Sequence, residues 1–204
     1  MYLAAFAVAA AVTLAISAQA PTLPELAAVA GKKELRLGRV RDIEPRSIRE
    51  LAESSDLIAE ATLTKFRSYL SSTEKDIYTD YVMEPIHVLA RRATMAAPQR
   101  NPGQSHRLIM TLFGGEIDIK SVRVTMADYN RIEITPGLHV LAFLRRSPSD
   151  TASEERYTPV HEIAGLLRID DGMVKTIIRS QEAHEFAIHS LDEALTTAAR
   201  FGPR

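Results

Sequence analysis

From residue 56 onward, short stretches of period-two hydrophobicity alternate with clusters of polar and turn-forming residues. In DLIAEATLTKF, Leu57, Ala59, Ala61 and Leu63 alternate with Glu60, Thr62 and Thr64. Successive side chains of a strand point to opposite faces, so this stretch predicts a half-buried strand. The polar segment RSYLSSTEKD reads as a loop into IYTDYVMEPIHVLA, a longer strand rich in Tyr, Val, Ile and Thr. Tyr78, Asp80, Val82, Glu84, Ile86 and Val88 share one of its nominal faces. Pro85 has no N–H for a ladder, which predicts an edge position or a bulge, and a bulge exchanges the faces.

RRATMAAPQRNPGQSH has no period and reads as a mobile loop, RLIMTLF as a third strand ended by Gly114-Gly115. EIDIKS alternates, with Ile117 and Ile119 inward, and VRVTM reads as its continuation. After the Pro136-Gly137 turn, LHVLAFLRR is almost wholly apolar and is predicted to be the most buried strand. SPSDTASEER reads as a polar loop. YTPVHEIAGLLRI then enters an Asp171-Gly172 hairpin turn, from which MVKTII returns.

Helical signals lie at the ends of this β-rich region. With Pro45 in a first turn, Ile48, Leu51 and Ala52 fall on one face of a short helix ending near Ser54-Ser55. Ser190 and Glu193 fit a capping box, followed by an apolar face of Leu191, Ala194, Leu195 and Ala198. Strands with helices only at the ends predict a mainly β fold, a small closed or partly open antiparallel β-barrel. Closure removes edges that would otherwise template aggregation. The first sixteen residues carry no charge and are followed by SAQA. Residues 1–20 are therefore expected to be a signal peptide, the alternative being an uncleaved N-terminal anchor. Residues 21–43 read as a tether, with a short strand as an option in GKKELRLGRV, and 44–200 as the barrel domain.

The chain has 25 basic and 26 acidic residues, so no basic stripe points to nucleic acid. Cysteine is absent, which removes disulfides, thiolate metal sites and cysteine nucleophiles together. An exported chain of this size without disulfides points to a bacterial envelope.

HEFAIH, residues 184–189, resembles a zinc-protease signature but holds its histidines five apart instead of four. At about 100° per residue they diverge by roughly 140° around a helix. No G-x-S-x-G and no phosphate-cradling glycine loop occurs. No catalytic residue, metal ligand or cofactor is assigned. His139, His161 and Glu162 are the residues for an alternative, metal-assisted hydrolase.

SDLIAEATLTKF, IYTDYVMEPIHVLA, RLIMTLFGGEI, ITPGLHVLAFLRR, LLRIDDGMV and the closing SLDEAL follow one another over about residues 47–200. This order resembles a group of exported bacterial β-barrel proteins. The front half more distantly resembles the netrin-like module of the tissue inhibitors of metalloproteinases, a five-stranded OB-type barrel. Those inhibitors act through an amino-terminal cysteine, which this chain lacks. Ala90-Arg91-Arg92 stands where a glycine usually follows the second strand, and Glu60-Ala61 where glycine is common in the first. The resemblance implies an OB-like barrel and an export route, without catalytic residues.

The expectation is an exported, non-enzymatic binding or accessory domain, with an envelope or secreted protein as partner. Neither nucleic acid nor membrane is expected as a partner, apart from the N-terminal segment if it is retained. By analogy with OB barrels, the ligand face would be Tyr78, Asp80 and Val82 with Tyr69 and the loops at 67–76 and 91–106.

Overall fold

A computed structural model describes residues 20–30, 34–39, 46–93, 107–128, 134–147, 154–178 and 189–204. The elements begin with α1 (Leu23–Ala30), β1 (Glu34–Arg39), α2 (Ile48–Glu53), β2 (Leu57–Leu70) and β3 (Ile77–Arg91). Next come β4 (Arg107–Phe113), β5 (Gly115–Ile119), β6 (Val122–Asp128), β7 (Leu138–Arg146) and β8 (Glu154–Pro159). A 3-10 turn (Glu162–Gly165), β9 (Leu166–Asp170), β10 (Met173–Thr176), β11 (His189–Ser190) and α3 (Leu191–Phe201) complete the order.

β2 pairs antiparallel with β3 and β7, and β3 with β4. β8 lies parallel to β4 and antiparallel to β7, and so closes a five-stranded barrel. Counted along the chain, neighbours run first, second, third, fifth, fourth and back to first, the OB-type arrangement. β9, β10 and β11 extend the sheet beyond β7.

The predicted alternation explains the interior. Leu57, Ala59, Ala61 and Leu63 of β2 pack inside with Met83, Met110 and Tyr157. The other face of β2 and β7 is also dry near one end. Ile58, Leu141 and Phe143 pack there against Leu51 of α2 and Ala194 and Ala198 of α3. This is why LHVLAFLRR is apolar on both faces: Val140 to Leu144 are all fully buried. Burial of a side chain such as Leu51 or Phe143 contributes about 1.5–3 kcal/mol. Arg49 of α2 stacks 4.6 Å from the Phe201 ring and ties the two helices together.

Pro85 does sit beside bulges. The β2–β3 register shifts on both sides of the Glu60–His87 pair, leaving Ile86 and Leu89 unmatched. Pairing of β3 with β4 stops at Met83, so Pro85 faces no β4 partner.

Five expectations need correction. Within 21–43, read as a tether, α1 forms and buries Leu23 and Ala27, while the short strand allowed in GKKELRLGRV forms as β1, parallel to β6. VRVTM does not continue EIDIKS but turns back as β6, through Lys120 and Ser121 at φ 48° and 69°. The stretch Glu154–Arg156, read as loop, belongs to the closing strand β8. Arg67 to Leu70, likewise read as loop, prolong β2. Helix α2 starts at Ile48, after its cap Ser47, later than the expected first turn.

The hairpin at Asp171-Gly172 forms as predicted, with both residues at positive φ. Ser190 caps α3 by accepting from the Glu193 amide at 3.2 Å. Residues 1–19 and most of the segment 91–106, from 94 onward, lie outside the described residues. No helix among the described residues is long and apolar enough to cross a membrane.

Candidate functional site

The outer face of β3 carries the densest polar construction on the barrel. Asp80 pairs with Arg67 of β2 and Thr111 of β4, and its side chain is fully buried. Arg156 Nη1 of β8 donates to Asp80 Oδ2 at 2.8 Å and Arg67 Nε to the same oxygen at 3.1 Å. Thr111 Oγ1 donates to Oδ1 at 2.8 Å and Tyr69 Oη at 3.3 Å. Burial pushes the Asp80 carboxyl up. The hydrogen bonds from Arg156, Thr111 and Arg67 outweigh it, and the group ends below the usual aspartate range. Burial and the Asp80 charge together push the Tyr69 phenol up. Four strands thus meet on one carboxylate.

The four residues expected at the binding face are therefore placed unequally. Tyr69 and Tyr78 are half-buried, with ring centroids 6.3 Å apart, and Tyr78 meets Phe113 edge-on at 6.1 Å. Val82 sits between Thr64 and Ile109. Asp80 has no exposed surface and lies beneath the face, bonded to Arg67, Arg156, Thr111 and Tyr69.

The exposed part of the face comes from residues that strand alternation did not single out. Around the β2 bulge Thr64, Phe66 and Arg67 are exposed, while Lys65, also exposed, pairs with the inward-facing Tyr81 and so belongs to the other side of the strand. Phe66 is 41% exposed, and the guanidinium carbons of Arg67 and Arg107 lie 5.3 and 5.4 Å from its ring centroid. Neither Lys65 nor Arg107 has a carboxylate partner among the described residues. Break of period at Lys65-Phe66-Arg67 was the available signal for the bulge at Phe66.

Beyond the far end of β4 a pocket of about 250 Å³ is lined by Tyr78, Thr111, Phe113, Asp128, Thr158 and Glu162. Glu162 in its wall and the preceding His161 both adopt left-handed backbone, φ 58° and 46°.

A second polar cluster lies on the outer face at β2, β3 and β7. Glu60 joins His87 Nδ1 and His139 Nε2, each at 2.8 Å, through its two oxygens. Burial pushes Glu60 up, and the two histidine hydrogen bonds bring it below the usual range. His161 instead bonds Ser54 Oγ at 3.1 Å. Val160 docks on the Phe143 carbonyl, four residues along β7 from His139, so the two histidines stand roughly 13 Å apart along that strand. The three residues of the hydrolase alternative are not brought together. No group of three or more metal-ligating side chains is placed to hold an ion among the described residues. His189 precedes α3, its Nδ1 3.7 Å from Glu193 Oε1, while His184 lies outside the described residues.

Compared with known proteins, the chain matches no family model, and no curated protein or solved structure is significantly similar.

Proposed function

We propose that this protein is an exported, non-enzymatic binding or accessory domain of netrin-like type, which docks a partner protein on the outer face of β2, β3 and β4. The observation that carries this reading is Phe66: a large aromatic side chain held in solvent by two guanidiniums, above a buried ionic anchor. An exposed ring flanked by arginines is the composition of interface hot spots, where aromatic residues and Arg are enriched. The Asp80 network fixes Arg67 before binding, which lowers the ordering cost of association. OB barrels commonly use the corresponding strand face. Export is supported by the uncharged apolar run of residues 1–16.

The test is a photo-crosslinking residue at Thr64 of the full chain, expressed in a bacterial host and followed through fractionation. The expected result is an adduct with an envelope protein that is lost with Phe66→Ser. An adduct pattern indifferent to Phe66→Ser, or a protein retained in the cytoplasm, contradicts the proposal.

A further inference from the structure

We infer that the pocket between β4 and β8 binds a single saccharide unit, at a site separate from the docking face around Phe66. A change of strand partner creates this pocket. β8 pairs with β4 from Arg107–Glu154 to Met110–Tyr157, and from Tyr157 onward it pairs with β7. The end of β4, Thr111 to Phe113, therefore parts from β8 and leaves about 250 Å³ between the strands. Sites for drug-sized ligands hold roughly 300–1,000 Å³, so the occupant here is smaller.

The polar wall is rich in acceptors. Asp128 and Glu162 contribute carboxylates. The Thr111 hydroxyl donates its proton to Asp80 Oδ1 at 2.8 Å, which leaves it only lone pairs for the pocket. Glu162 and the preceding His161 hold left-handed backbone at φ 58° and 46°, where the 3-10 turn begins. Such positions persist when the surroundings over-determine them, which fixes one carboxylate in the wall beforehand. No Lys, Arg or His lines the pocket among the described residues, so an anion finds no counter-charge. Neither carboxylate is free of partners, so the pair is not a bare double charge awaiting a cation. A carboxylate accepts at about four lone-pair sites, however, and hydroxyl donors can use those that remain.

The other wall is aromatic. Tyr78 and Phe113 stand edge-on, with ring centroids 6.1 Å apart. The face of such a ring is negative and attracts polarised C–H groups. A pyranose carries hydroxyl donors on its rim and C–H groups on its faces, so it satisfies both walls at once. A plain hydrocarbon would strip water from the carboxylates and put nothing in its place.

The experiment titrates the full chain with glucose, galactose, mannose and N-acetylglucosamine at millimolar concentrations, read by backbone amide NMR shifts, with butylamine as the cationic control. At least one sugar is expected to shift the amides of Thr111, Phe113, Thr158 and Glu162, with little dependence on salt. Tyr78→Ala should weaken that sugar by about tenfold, as a lost ring contact would. Thr158→Trp, at an exposed position, should fill the pocket and abolish binding. Phe66→Ser should leave binding unchanged, which keeps this site distinct from the docking face. The thermal transition of each variant verifies folding, and Thr158→Trp decides the matter if Tyr78→Ala does not fold.

No localised shift with any of the four sugars overturns the inference, as does sugar binding that survives Thr158→Trp in folded protein. Butylamine binding there with a steep salt dependence, while the sugars do not bind, overturns it in favour of an ammonium ligand.

Discussion

Asp80→Asn leaves two guanidiniums facing a neutral amide inside the wall of the barrel. Breaking a buried pair by removing one charge costs about 3 kcal/mol or more, which urea denaturation at neutral pH should register. The same group governs acid sensitivity. The Asp80 and Glu60 carboxyls both lie below their usual ranges in the folded protein. Their contribution is present above the unfolded carboxylate range, about pH 4, and is lost as pH falls through the lower folded values. The urea midpoint should therefore drop below about pH 4, and Asp80→Asn should flatten that limb. A steeper acid limb in Asp80→Asn would contradict the assignment. Gly115 is a different kind of residue-scale constraint. Its φ is +146°, and a Cβ there would meet Thr79 Oγ1 and Ser68 Oγ. Gly115→Ala should cost about 1–3 kcal/mol, measurable as a lowered thermal midpoint.

Among the elements, α3 and β8 show two degrees of legibility. The α3 helix announces itself through Ser190 and the spacing of Leu191, Ala194, Leu195 and Ala198, and the structure buries Ala194 and Ala198 fully. Ser190→Ala should cost about 1 kcal/mol by chemical denaturation, because the Glu193 amide loses its acceptor. The second half of the capping box is less complete, since Glu193 turns toward His189. β8 gives no such warning. Glu154, Glu155 and Arg156 read as solvated loop, yet Glu155 is buried against Arg91 and Tyr157, and Arg156 reaches Asp80. Burial and the Glu155 carboxylate push the Tyr157 phenol up. Charged residues are legible as core only once their partners are known, and the charged partners here, Arg91 and Asp80, lie on β3, far away in sequence.

For the whole molecule, the closed barrel and the small β1–β6–β5 sheet have separate cores. The small sheet's cluster is slighter, with Leu23, Ala27, Ile77, Ile119, Val124 and Met126 buried. Hydrogen exchange should therefore show the slowest amides in β2, β3 and β7, with β1, β5 and β6 opening at lower free energy. Equal protection in the two sheets would indicate one cooperative unit. The small sheet also takes up the short strand allowed in GKKELRLGRV: β1 is a parallel partner of β6, and parallel pairing carries no local turn signal.

Local chemistry was sufficient for β2 as far as Phe66, for β3, β4 and β7, for the Asp171-Gly172 hairpin, the α2 and α3 faces and the bulges at Pro85, because period, turn residues and a missing N–H act over a few residues. The β5–β6 turn escaped because Lys120 and Ser121 adopt positive φ without glycine or asparagine. Tyr69, Tyr78 and Asp80 were identifiable as one strand neighbourhood, but whether Asp80 faced solvent was not. Closure by β8 decided that, by bringing Arg156 across seventy-odd residues onto a carboxylate already met by Arg67. The three-dimensional arrangement likewise set Arg107 beside Phe66, since distant charges find each other only when a sheet curls and seals its wall.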